Sequence, residues 1–142
     1  MKKKIGLLAT ARKKLDHPAP VTEFYNSPLF IKSLHYAKEN YDYFYFYNAQ
    51  NGLLLPDDIM TPNDISIKTF SITEKKEWGK NVIHRLRQME SPAHSIIYLH
   101  GGKLYRKFLE PHLIVYNYEY VVPLIALNIG EQLLWYDQQL QN

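Results

Sequence analysis

Three short runs, Ile5-Gly6-Leu7-Leu8-Ala9, Tyr43-Phe44-Tyr45-Phe46-Tyr47 and Ile96-Ile97-Tyr98-Leu99, alternate along the chain with segments whose apolar residues repeat at helical spacing. This alternation limits the possible folds more than any other feature. A short apolar run without polar alternation reads as a strand covered on both faces. Strands of that kind joined by helices build a mostly parallel sheet flanked by helices. The expected fold class is α/β. It is a three-layer α/β/α sandwich with a mostly parallel central sheet of four to five strands, one domain over residues 1–142.

Local signals place the helices between these strands. Ser27 and Pro28 form a helix start, with a capping hydroxyl followed by the residue best suited to the first helical position. Phe30, Leu34 and Ala37 repeat behind them, so this helix runs to about Asn40. Ser71-Ile72-Thr73-Glu74 matches a capping box, and Trp78, Val82, Leu86 and Met89 follow on one face. A short helix through Leu104 to Leu109 is expected to stop at Pro111, with strands at Leu113–Tyr116 and Tyr120–Val122. A last helix starts near Asn128 and carries Ile129, Leu133, Tyr136 and Leu140. The Pro-rich stretch at Pro18-Ala19-Pro20 is a poor setting for regular structure. The stretch from Leu53 to Ser71 reads as a long irregular loop that packs through its own apolar residues.

Composition sets outer bounds. At 142 residues with 46% hydrophobic and 22% charged residues, the chain is globular in character. It has no cysteine, which removes disulfides, thiolate metal sites and cysteine nucleophiles and suits a reducing, cytoplasmic setting. The apolar run behind Lys2-Lys3-Lys4 is too short for a signal-peptide core or a membrane span. A formal net charge of +3 is too small to argue for nucleic acid by itself. Twelve tyrosines supply either amphipathic packing or faces for stacking on bases.

In open parallel sheets, ligands collect outside the carboxyl ends of the strands. Four segments meet that rule: Thr10 to Lys14, Asn48 to Gly52, His100 to Gly102, and the approach to the last helix at Asn128 and Gly130. The basic residues Arg12, Lys13 and Lys14 would hold a phosphate, or are simply a solvated charge run. Gly101 and Gly102 allow close backbone approach, and His100 beside them is a donor, a base or a structural group. Asp57, Asp58 and Asp64 sit in the long loop, where partial burial would tune them or Asx turns would engage them. No histidine shows metal-ligand spacing, and no cofactor-binding motif or hydrolase elbow is present.

Two stretches carry a resemblance. Lys14-Leu15-Asp16-His17-Pro18-Ala19-Pro20, followed by Tyr25-Asn26-Ser27-Pro28-Leu29-Phe30, resembles small uncharacterised bacterial and phage domains that read "SCTKSKLD-PAPA-ELY-SPLF". Asn48-Ala49-Gln50-Asn51-Gly52-Leu53-Leu54-Leu55-Pro56-Asp57-Asp58-Ile59, then Thr61-Pro62-Asn63-Asp64, resembles their "SAKYGLL-PD-I-PYD" segment. The tail from Pro123-Leu124 to Ile129-Gly130-Glu131-Gln132-Leu133 also fits. The glycine-leucine-leucine pattern is similar to one in the YaaA peroxide-stress proteins. The resemblance implies an α/β sandwich related to uracil-DNA glycosylases and to a domain of archaeosine synthase, which handle nucleobases or nucleic acid. The resembling sequences often carry Cys at the position of Thr10 and Tyr at that of Asn63. Thr10 keeps a hydroxyl for hydrogen bonding but not thiolate chemistry.

The resulting expectation is a domain that processes a nucleobase, nucleotide or nucleic acid, with an N-glycosidic bond as the candidate point of attack. Asp64 would act as base or stabilise positive charge on a sugar. Asn48 would read a base edge. Tyr25 would stack, Lys13 or Lys14 would hold phosphate, and Thr10 and Ser27 would orient the ligand. Gly52, His100, Gly101 and Gly130 complete the candidate ligand-binding set. Two alternatives stand beside it: a non-catalytic DNA- or RNA-binding protein, and a phage or accessory protein that sequesters a nucleotide or blocks a host protein.

Overall fold

The computed structural model describes residues 1–12 and 14–140. Its elements, in order, are β1 (Lys3–Ala9), β2 (Ala19–Pro20), α1 (Val21–Phe24), α2 (Pro28–Asn40), β3 (Tyr43–Asn48), β4 (Gly52–Leu54) and β5 (Ile59–Met60), then α3 (Ile72–Met89), β6 (Ser95–Leu99), α4 (Lys103–Val115), β7 (Glu119–Val121) and α5 (Ile129–Leu140). Five strands form the central sheet in the order β4-β3-β1-β6-β7. All neighbours run parallel except β4, which turns back antiparallel along β3. β2 and β5 form a separate two-stranded antiparallel ribbon. Among the described residues, no helix is long and apolar enough to cross a membrane.

β1 lies at the centre, paired with β3 through Leu7↔Tyr45 and with β6 through Leu7↔Leu99. Its successive side chains point to opposite faces, so Ile5 and Leu7 enter one core cluster and Leu8 the other. The first cluster gathers Trp78, Val82 and Leu86 of α3 with Phe108, Leu109 and Leu113 of α4. The second gathers Phe30, Leu34 and Ala37 of α2 with Phe46 and Leu54. The expected caps are present. Ser27 Oγ accepts from the Phe30 amide at 3.2 Å, and Ser71 and Glu74 close a reciprocal capping box at 3.1 and 2.8 Å. α5 packs on α2, joined by an ion pair between Lys32 and Asp137.

The main departure from the sequence reading is at Pro111. The helix does not stop there but continues to Val115, so Leu113–Tyr116 is not a strand. A proline inside a helix costs about 3 kcal/mol, since it removes one amide donor and crowds the preceding turn. Continuing the helix keeps Leu109 and Leu113 fully buried beside Phe108 on one stripe, at roughly 2 kcal/mol per large apolar side chain. Burial outweighs the lost bond. The chain turns away just beyond the helix, at Asn117, whose φ of 62° is left-handed. The fifth strand of the sheet is β4, lying at the start of the stretch read as irregular. The Pro-rich segment contributes β2, because Ala19 and Pro20 pair at an edge where a missing donor is tolerated.

α3 and α4 approach so closely that a Cβ on Gly79 would collide with the backbone carbonyl of Phe108. A backbone obstacle cannot rotate away. Gly79→Ala is expected to destabilise the fold by about 2 kcal/mol or more, as overpacking does. Denaturant unfolding would read the change, and a Gly79→Ala protein as stable as the parent would show that the helices separate freely.

Candidate functional site

The topology creates a crevice at the carboxyl ends of the strands. The chain leaving β1 passes through α1 and α2 on the face of Leu8, whereas the chain leaving β6 enters α4 on the face of Leu7. β1 and β6 are neighbours, so their outgoing loops part in opposite directions, which is the condition for a ligand crevice in such sheets. A cleft of about 740 Å³ opens there. Its floor is Ala9 to Arg12, Asn48 to Gln50 and Gly101 to Tyr105. One wall comes from Asn63 to Lys68, and Tyr25, Leu29, Ile129 and Gln132 complete it. A smaller hollow of about 60 Å³ adjoins it through Thr10, Gly101 and Gln132 and extends to Ser27, His100 and Tyr136.

Charge is concentrated in this cleft. Arg12, Lys14, Lys68 and Lys103 line it against a single carboxylate, Asp64. Among the described residues, the lining therefore carries a surplus of three positive charges. The first turn of α4 borders the same space. Gly102 at its N-cap gives no side-chain cap, so the amides of Lys103, Leu104 and Tyr105 have no intrahelical acceptor. Both features favour an anion.

The predicted residues divide between the two spaces. Thr10, Lys14, Tyr25, Asn48, Asp64 and Gly101 meet in the cleft. Lys14 Nζ donates to the Arg12 carbonyl at 3.0 Å and lies 3.9 Å from Asp64, whose side chain is fully exposed. Asn48 is buried, and both ends of its amide are engaged in the turn to β4. Its Oδ1 accepts from the Asn51 amide at 2.6 Å, and its Nδ2 donates to Asn51 Oδ1 at 3.2 Å. Reading a base edge would exchange those bonds. Tyr25 is held edge-on to Phe24 and tilted on Phe30, with 6% of its surface exposed. Ser27 and His100 line the smaller hollow. Gly52 opens β4 opposite Asn48 and Gly130 lies in the exposed first turn of α5, outside both linings. Lys13 lies outside the described residues. Asp58 accepts from the Leu55 amide at 2.8 Å, across a turn that its own amide closes onto the Leu55 carbonyl at 3.1 Å.

Sequence reasoning missed Lys68, Lys103, Tyr105 and Gln132. Lys103 and Tyr105 directly follow the glycine pair at a strand end, a position that signals them. Lys68 and Gln132 reach the cleft only through tertiary folding, and no local pattern marks them.

His100 is buried between two hydroxyls, Tyr41 at 2.6 Å from Nε2 and Tyr136 at 2.8 Å from Nδ1. Its carbonyl accepts from the Tyr47 hydroxyl at 2.7 Å, which ties β3 to the end of β6 across β1. Gly101 makes room for this bond: a Cβ there would overlap the Tyr47 hydroxyl, and its φ of 121° excludes most other residues. Desolvation pushes the His100 imidazole down to about 3, so it is neutral at neutral pH. Burial likewise pushes the Tyr41 and Tyr136 hydroxyls up. Among the described residues, no three His, Cys, Asp or Glu side chains are grouped to hold a metal ion.

These features define an α/β protein with a basic cleft at the switch point of a mostly parallel sheet. The chain belongs to a family of unknown function (DUF6884), whose model matches residues 5–138. No curated protein and no solved structure matches it, and none of these comparisons relates it to the YaaA proteins or the uracil-DNA glycosylases.

The buried imidazole makes stability depend on acidity. Its folded value lies below the ordinary histidine value of about 6.5, so the unfolded chain binds the extra proton between those limits. Its contribution is complete above about pH 6.5 and is lost as pH falls towards 3. His100→Gln is expected to show a shallower fall in unfolding free energy across that window than the parent, measured by denaturant titration at several pH values. Equal slopes would mean that the histidine titrates normally.

Proposed function

We propose that the cleft binds a phosphate-bearing nucleobase compound, a nucleotide or a terminus of nucleic acid, and that the protein processes it at the N-glycosidic bond. The fold is read accordingly as a three-layer α/β/α sandwich, with α3 and α4 on one face of the sheet and α1, α2 and α5 on the other. A cytoplasmic setting accords with the absence of cysteine.

One observation carries this reading: among the described residues, four cations stand against one carboxylate in the lining of one cleft at the switch point. About 740 Å³ lies within the range of small-ligand sites, roughly 300–1,000 Å³. Arg12, Lys14, Lys68, Lys103 and the free amides of α4 suit a phosphate. Tyr105, half-buried beside them, offers a ring for a base, a role better supported for it than for the enclosed Tyr25. Asp64, the one carboxylate of the lining, is then the group available to stabilise positive charge on the sugar or to take a proton from attacking water.

Thermal unfolding against nucleobases, nucleosides, mono- and dinucleotides and short oligonucleotides tests the reading. A ligand at one hundred times its Kd stabilises by about 2.7 kcal/mol, which for a chain of this size raises Tm by several degrees. Phosphate-bearing members are expected to produce that shift, and Arg12→Ala with Lys103→Ala to remove most of it. Asp64→Asn should retain binding and lose turnover. Shifts confined to oligonucleotides, with affinity falling steeply in salt, would favour the nucleic-acid binder. A panel without any shift would sink the proposal.

A further inference from the structure

The hollow beside the cleft contains a hydrogen-bond count that does not close. Tyr41, His100 and Tyr136 form a chain of two hydrogen bonds, at 2.6 and 2.8 Å. A neutral imidazole brings one N–H and the two tyrosines bring two O–H groups, so three hydrogens serve two bonds. One hydroxyl hydrogen is left over, and its position depends on the tautomer.

If Nε2 carries the proton, it donates to Tyr41, Tyr136 donates to Nδ1, and the Tyr41 hydrogen is spare. Tyr41 is enclosed by the rings of Tyr36 and Tyr98, with centroids 5.7 and 4.9 Å away, and its hydroxyl has no second partner among the described residues. A spare hydrogen there is desolvated without an acceptor. If Nδ1 carries the proton, Tyr41 donates to Nε2, His100 donates to Tyr136, and the Tyr136 hydrogen is spare. Tyr136 lines the 60 Å³ hollow, which has room for water or for part of a ligand. The second arrangement turns the spare hydrogen towards a space that a ligand can enter, whereas the first leaves it on Tyr41, which lines neither space.

The other polar groups of the hollow are also uncharged and half-used. Ser27 Oγ accepts from the Phe30 amide and keeps its own hydrogen. Gln132 donates to the Leu127 carbonyl and keeps its amide oxygen. Thr10 donates to the Tyr47 carbonyl at 3.1 Å and keeps lone pairs. Among the described residues, no cation or carboxylate lines this space.

We propose that the hollow is a subsite for an uncharged, oxygen-bearing part of the ligand, a sugar hydroxyl or a base carbonyl, which accepts a hydrogen bond from the Tyr136 hydroxyl. His100 is the positioning residue that keeps that hydroxyl a donor. The assignment rests on the cleft reading above and adds a division of labour: cations and amides for the phosphate, neutral hydroxyls for what lies beyond it.

Two measurements test it. Long-range 1H–15N spectra of the unliganded protein are expected to show His100 protonated at Nδ1, its signals identified by their displacement in Tyr136→Phe. Protonation at Nε2 would leave Tyr136 donating to His100 and overturn the assignment. Calorimetric titration of the parent and Tyr136→Phe then uses ribonucleoside 5′-monophosphates, their 2′-deoxy counterparts, ribose 5-phosphate and inorganic phosphate. Tyr136→Phe is expected to weaken the nucleotides about tenfold and leave inorganic phosphate unchanged, as loss of one hydrogen bond would. An equal loss with ribose 5-phosphate identifies a sugar hydroxyl; a loss confined to nucleotides identifies the base. Unchanged affinity for every probe that the parent binds overturns the subsite alone, and a parent that binds none overturns the cleft reading and the subsite together.

Discussion

The double burial of β1 is the constraint on which the other features depend. Ile5, Leu7 and Leu8 are wholly inaccessible, and β1 sends fully buried side chains into both core clusters while pairing in parallel on both sides. A parallel partner requires a crossover, and two partners on opposite sides of β1 require crossovers that diverge. α2 therefore covers one face and α3 with α4 the other. The crevice follows from this connectivity: once the chain is threaded in this way, the loops after β1 and β6 cannot close over each other. The cleft is the space left by packing the most apolar strand in the middle.

The two spaces at that crevice divide polar chemistry in a physically consistent way. Charged side chains stand at the open mouth, where water still solvates them and where desolvating an ion costs least. Among the described residues the smaller hollow is lined only by neutral groups, and its histidine is neutral because the imidazole itself is buried. The opposite end of the sheet shows the cost of burying a charge. There Glu90, 5% exposed, accepts from the Tyr45 hydroxyl at 2.6 Å and faces Lys3 Nζ at 2.9 Å, while its backbone carbonyl accepts from Tyr118. A carboxylate enclosed to that degree needs several partners. The cleft cations have few, consistent with their facing a ligand.

Residues whose role is local were legible in the sequence, and residues whose role depends on distant packing were not. Ser27, Ser71 and Glu74 act on amides three positions away, so their caps could be read from spacing. Ile5 to Ala9 and Tyr43 to Tyr47 declare burial by composition. Pro111 misled because its cost is local and visible, whereas the compensating burial of Leu113 against the far helix is not. Gly52 to Leu54 were hidden for a similar reason. A three-residue strand has no period to detect, and it is held by Arg85 donating to the Leu53 carbonyl at 2.5 Å and by pairing with β3. In the site, the strand-end rule located the cleft loops, but the wall residue Lys68 is brought to it by a 3₁₀ turn at Ile67–Thr69. The glycine pair was read as room for a ligand. At Gly101 part of that room is filled by the Tyr47 hydroxyl.

Thr10 joins these arguments, because it lines both spaces and stands where the resembling sequences often carry Cys. Its hydroxyl donates to the Tyr47 carbonyl, fastening the end of β1 to β3 one bond away from the Tyr47–His100 link. A thiol is a weaker donor and would hold that junction less firmly, so the hydroxyl makes a structural contribution that a thiol would not match. Chemistry that needs a thiolate is closed to this chain at that position. What the threonine retains is an acceptor at the boundary between the cationic cleft and the neutral hollow. A ligand spanning the two would pass over it, so Thr10 suits a role in orienting such a ligand rather than in attacking it.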